Sequence, residues 1–413
     1  MSVAPWRHLV VIASLIATSS IGVLVEAPPA DAAGRCTHIG PRADLSGCDL
    51  AGLNLAGKDL IGANLARANL TDATLRNAKL ARASFAGARL TGIRSGGIKG
   101  TPSHVPSHWG LVAGYLVGPA ANLTAATLAS AGLAGADLVS ATMARANLSG
   151  TILTGADLHD ANLTSADLSG AALHGADLTE ADLGRAVLTG AHLCDAQLKG
   201  ANLARADFTD AHVAGVSSGG ITGAPLALPT SWVLAGGYLL GPMANLSGAQ
   251  IGGGQSDPES LPGIDLAGAN LTNAVFGFVD LTGADLSGAN FLGANLGGCN
   301  CPAGYWETLT GANLTGADLA GTNLDSANLT NANLTDADLA SVTFTGCGQC
   351  LAGPPGSVLD GANFTRASLL GADFYGDGAP YYNFSIGNNA WSDTICPDGS
   401  NSDSDSDTCV NDL

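Results

Sequence analysis

The residues that could bind or react gather where the sequence is least regular. The C-terminal run WSDTICPDGSNSDSDSDTCVNDL alternates Asp398, Asn401, Asp403, Asp405 and Asp407 with small residues between Cys396 and Cys409. Alternating carboxylates with a glycine offer the hard oxygen donors that calcium prefers. The run lacks the closing bidentate Glu and the full spacing of an EF-hand loop. It reads as a solvated acidic cap, with weak Ca2+ binding as the sharper alternative and no other cofactor indicated.

Cysteine supplies a second set of candidates. Cys299 and Cys301 make a C-x-C pair and Cys347 and Cys350 a C-x-x-C pair. Together they could hold zinc with tetrahedral geometry, but in an exported chain disulfides are the expectation. Cys36 and Cys48 bracket the start of the regular sequence and Cys396 and Cys409 the tail, which leaves Cys194 over. Local disulfides are expected, with the connectivity open. Trp109, Tyr115, Trp232 and Tyr238 are candidates for partner contact, since Trp and Tyr are favoured at binding surfaces. No GxSxG, HExxH, phosphate-binding glycine loop or Cys/His dyad occurs, and aromatics at 5% leave little to line a sugar groove. An enzyme is not expected.

The elements that must position these residues follow one rhythm. Residues 161–183 read ANLTSADLSGAALHGADLTEADL, a small residue, Asp or Asn, then Leu, returning every fifth position. Five is neither the helical period nor the strand period. One register runs from Leu45 to Leu90 and a second from Leu123 to Val213. Others cover Leu246–Ile251 with Leu266–Leu296, Leu309–Phe344 and Leu359–Phe374. Short helices are excluded by that spacing and by 57 glycines.

This grammar closely resembles that of the pentapeptide-repeat proteins, with consensus A-(D/N)-L-x-x. The resemblance implies an all-β, right-handed quadrilateral β-helix with one repeat per side, four per coil, and loop or hairpin insertions. A chain that turns a corner every five residues puts Leu, and the Ala two before it, inside. Stacked coils then pair backbone groups at about 4.8 Å, and the core grows as a column that no single repeat could bury.

Twenty residues per coil make columns predictable. His192 and His212 should stack, as should Asp137, Asp157 and Asp177. Two histidines without a third ligand make a weak metal site, and carboxylates in register repel.

Two 34-residue breaks, 90–123 and 213–246, are copies of one module. They share SGGI, Trp109/Trp232, Gly-Tyr-Leu and a closing Gly-Pro, and each is expected to form a hairpin-like flap lying on the rod. The modules resemble those of exported bacterial pentapeptide proteins. Two shorter breaks, 297–310 and 345–357, should emerge from one side, roughly 10 Å apart.

The expected organisation begins with a signal peptide (1–32), a repeat block (33–92), an inserted module (93–121), the main block (122–215) and the second module (216–244). It continues with repeats (245–296), a Cys insertion (297–308), repeats (309–344), a second Cys insertion (345–357), terminal repeats (358–386) and the acidic tail (387–413). The first segment has a basic start, the apolar run LVVIASLIATSSIGVLV and Ala30-Asp31-Ala32 as a cleavage site. An uncleaved anchor is its alternative, and no other stretch could span a bilayer.

The protein is therefore expected outside the cell or at its surface, with no membrane span in the mature chain. The mature chain carries a net charge of −18, which disfavours nucleic acid and anionic lipid as partners. The expected function is a non-catalytic scaffold for an unidentified protein partner, of unknown oligomeric state. The family resemblance also implies an acidic DNA mimic that binds DNA gyrase, if the chain is cytoplasmic. A β-helix enzyme acting on polysaccharide is the remaining alternative.

Overall fold

In the computed structural model the described residues are 35–252, 259–277, 279–297, 308–345, 357–374, 389–404 and Cys409. The expected signal segment (1–32), Cys299, Cys301, Cys347, Cys350, Asp405 and Asp407 lie outside them.

Each five-residue unit closes its own corner. The Leu carbonyl accepts from the N–H three residues on, as Cys48 N donates to Leu45 O at 3.1 Å. The residue two after Leu takes a positive φ, 67° at Gly47 and 58° at Arg67, as the third position of a type II turn requires. The Asp or Asn before Leu completes the turn. Its Oδ1 accepts from the N–H two residues on, Thr164 to Asn162 and Ser169 to Asp167, both at 3.0 Å. Asp and Asn offer the same oxygen for this bond, which is why the repeat uses them interchangeably.

Corners repeat every five residues, so the chain lies over itself after twenty. Parallel bridges join Asp44 to Asn64 and Ser84, Asp49 to Asn69 and Arg89, Asn54 to Thr74 and Arg94, and Asp59 to Lys79 and Lys99. These are four ladders around one coil, and the same pattern continues into the C-terminal region. Within the stretch quoted above, Ala166, Leu168, Ala176 and Leu178 are fully buried, and Asp167 and Asp177 stand on different ladders. Phe85, Phe208, Phe291, Phe344 and Phe364 fill the Leu slot where the column takes a ring.

The column is not continuous. Ala43 to Ile98 form one core together with Leu116, Val117 to Ile221 a second together with Leu239, and Leu240 to Cys409 most of a third. The dividers are the hairpins β1 (Gly110–Val112) with β2 (Tyr115–Val117), and β3 (Val233–Ala235) with β4 (Tyr238–Leu240). These strands correct the expected flap. Successive strand residues point to opposite faces, and both faces here are apolar. Leu116 enters the first core and Val117 the second, then Leu239 the second and Leu240 the third. The second strand of each hairpin is thus a septum between coil stacks rather than a cover on the outside. One ladder passes each septum, through Arg94 to Asn122 and Ser217 to Asn245.

In the third stack one corner differs from the others. The ladder Gln250–Val275–Asn295–Asn323–Thr343–Asp373 is followed around the coil by Ser260–Asp280–Thr308–Asn328–Val358. Val275 reaches Asp280, and Asn323 reaches Asn328, by the ordinary five-residue step. The steps from Gln250 to Ser260, Asn295 to Thr308 and Thr343 to Val358 are longer. All three long connections leave from this one ladder. The flanks of the two Cys insertions, Asn295 and Thr343, stand two coils apart on it, about 10 Å by strand spacing.

Candidate interaction surface

The duplicated modules are wired into the coils that follow them. Tyr115 Oη accepts from Thr127 N at 3.0 Å, and Tyr238 Oη from Gln250 N at 3.0 Å. Ser95 Oγ accepts from Leu116 N and Ser218 Oγ from Leu239 N, both at 2.9 Å. Trp109 and Trp232 are half-buried, and each indole packs against two of the three cores. A Cβ on Gly118 or Gly241 would overlap the indole. The four aromatic candidates are therefore occupied in joining coil stacks, whatever else their exposed edges do. Around the second module Leu226 is 67% and Met243 60% exposed, and a cavity of about 550 Å³ lies between β3 and residues 259–265.

The predicted columns are in register. Asp137, Asp157 and Asp177 follow one another on one ladder. Their Oδ1 atoms accept from Val139, His159 and Thr179 N–H at 3.3, 3.1 and 2.9 Å, so each carboxylate is engaged in its own corner. His108 Nδ1 approaches Asp137 Oδ2 at 3.4 Å. The His192 and His212 rings stack at 4.7 Å and 4°, and His174 extends the stack at 5.7 Å. His174 escaped the column arithmetic because it lies two residues off that ladder. Imidazole lone pairs lie in the ring plane, so parallel rings do not aim at a common ion. Cys194 is free and half-buried, with its thiol 3.9 Å from His212 O.

The two brackets are closed by the disulfides Cys36–Cys48 and Cys396–Cys409. Within the tail, Asp398 Oδ1 accepts from Ser400 N at 2.8 Å, a bond that holds its carboxyl below the usual range. Asn401 Nδ2 donates to Asp393 at 2.9 Å, Asn401 Oδ1 accepts from Asp403 N, and Asp403 Oδ1 accepts from Asp393 N. These described tail residues close turns with the oxygens that a cation would use. Asp336 is also lowered, by the two-pronged hydrogen bond from Arg366.

The whole-chain charge conceals a division. Residues 35–109 hold ten Lys or Arg and four Asp, a net +6, whereas residues 110–413 hold five Lys or Arg and 29 Asp or Glu, a net −24. Arg89, Arg94 and Lys99 project from three successive sides of one coil. The full-length net charge hides this basic end, which is legible in the sequence from the charge of the first repeat block alone.

The family profile agrees with the ladders. The Pentapeptide repeats profile matches in 8 copies within residues 43–80, 59–94, 141–179, 176–213, 263–300, 309–346 and 355–376, together more than half of the chain. The chain belongs to the pentapeptide-repeat family, and no catalytic family is indicated. No curated protein matches.

Among solved structures it is similar to HetL, a pentapeptide repeat protein involved in heterocyst differentiation regulation from the cyanobacterium Nostoc sp. strain PCC 7120. The identity is 24% over 85% of this chain and 92% of that one, with a TM-score of 0.21. A pentapeptide repeat protein from the Arabidopsis thaliana thylakoid lumen is 38% identical over 22% of this chain and 66% of that one, with a TM-score of 0.19. QnrB1, a plasmid-mediated fluoroquinolone resistance protein, is 13% identical over 83% and 91%, with a TM-score of 0.17.

Proposed function

We propose that this protein is an exported, non-catalytic scaffold, a right-handed quadrilateral β-helix that presents its long connections to a protein partner outside the cell or at its surface. The observation that carries this reading is the single corner of the third stack from which three long connections depart. A regular solenoid spreads its insertions at random if they are merely tolerated; concentration at one corner makes a face. The basic start, apolar run and A-x-A site of residues 1–32 support export.

Cell fractionation with N-terminal sequencing tests it. Cleaved protein in the outer fraction is expected, and full-length protein in the cytoplasm overturns the reading. The charge division favours one rival, an acidic gyrase-binding DNA mimic, because residues 110–413 carry −24. Inhibition of gyrase supercoiling by cytoplasmic full-length protein would establish that rival.

A further inference from the structure

The geometry points to a binding site for a divalent transition-metal ion of the zinc class at His159, Asp160 and Glu180. One ligand atom from each of the three lies within 4.8 Å of the others, and His159 Nε2 is 3.5 Å from Asp160 Oδ2. The register brings them together. His159 and Asp160 are the two outward corner residues of one coil, and Glu180 occupies the Asp160 position one coil on.

The backbone beneath them is fixed. His159 N donates to Asp157 Oδ1 at 3.1 Å, Asp160 N to Thr179 O at 3.0 Å and Glu180 N to Lys199 O at 2.8 Å. Donors around a tetrahedral zinc ion sit about 3.4 Å apart, so side-chain rotation alone closes the set.

Two features separate this corner from an ordinary acidic patch. The first is its neighbours. Three acidic corner residues elsewhere meet something neutral or positive in the next coil: Asp72 faces Gly92, Asp195 faces Gly215, and Asp336 is paired by Arg366. Asp160 instead has a second carboxylate, Glu180, in the equivalent position. Stacked like charges repel, and among the described residues no Lys or Arg ion-pairs with either. Lys199 lines a cavity beside Glu180 without pairing to it.

The second feature is the donor set. One imidazole nitrogen with two carboxylates suits zinc and its first-row neighbours, whereas calcium and magnesium take oxygen. Water would complete the coordination. The ion would tie two successive coils at an exposed corner.

Isothermal titration of the intact mature protein with Zn2+ tests the site. Wild type is expected to bind one ion that His159→Ala, Asp160→Asn or Glu180→Gln weakens at least roughly ten-fold. His192→Ala and Cys194→Ser should leave that affinity unchanged. Zn2+ should also raise the melting temperature of wild type but not of His159→Ala. Melts in EDTA show whether each variant folds; these corners face solvent, so all should. The proposal is overturned if wild type shows no saturable binding up to millimolar Zn2+. It is equally overturned if the site survives His159→Ala and Glu180→Gln, or if it disappears only with His192 or Cys194.

Discussion

At the residue scale, the corner explains the sequence more closely than the core does. The fifth-position residues need a positive φ, which side chains other than glycine adopt at a cost. Ser165, exposed at φ 58°, is one of them. Ser165→Gly is expected to stabilise the protein by roughly 0.5–1 kcal/mol, measured as a rise in melting temperature.

The cap on the other side of the corner titrates where it is Asp. Asp207 accepts from Thr209 Oγ1 at 2.6 Å and Thr209 N at 2.9 Å, and these bonds lower its pKa in the folded state. A depressed carboxyl pKa adds stability above the unfolded-state value near 3.8, and that stability is lost as pH falls through the folded value. Melting temperature followed from pH 7 down to 2 should therefore fall less steeply at the acid end for Asp207→Asn, which keeps the acceptor, than for wild type. These roles are partly legible from sequence. Ala166 and Leu168 could be placed inside from period alone, whereas the reason for Asp167, a turn closed by its own side chain, depends on backbone direction.

At the element scale, the two hairpins hold the molecule's division. Gly118→Ala pushes a methyl group into the Trp109 indole, and overpacking of this kind costs about 1–3 kcal/mol. The same change at Gly241, against Trp232, should cost a similar amount. Thermal melts of both variants check this; if Gly118→Ala melts like wild type, Trp109 is free to move away and does not brace the junction. The sequence shows two copies of one module and their strand-like pairs. It does not show that Leu116 and Val117 face different cores, because an apolar pair on a strand reads the same on a surface flap. The His159–Asp160–Glu180 corner was missed for a related reason. The five-residue period makes residues twenty apart on one ladder legible, whereas this set combines a neighbour with a coil step.

At the scale of the whole molecule, the division of charge should govern behaviour at low salt. Despite a formal net charge of −19, the protein is expected to bind a cation exchanger through its basic first block as well as an anion exchanger. Replacing Arg89, Arg94 and Lys99 with Gln should release it from the first resin and not the second, and sodium chloride should weaken both interactions.

The ladders, the five-residue step and the two modules were all readable in advance, since each is written in residue type and spacing. The septa and the single insertion corner were not, because both depend on where successive coils come to rest. The septa also bear on how the molecule answers force. Where coils stack fully, a pulled end peels away one coil at a time against its nearest neighbour. At a septum, three of the four ladders stop and a hairpin with its own apolar faces takes over. Stretched from its ends, such a chain lengthens in three successive runs set by its three cores, with an arrest at each of the two hairpins between them, and behaves as three springs in series.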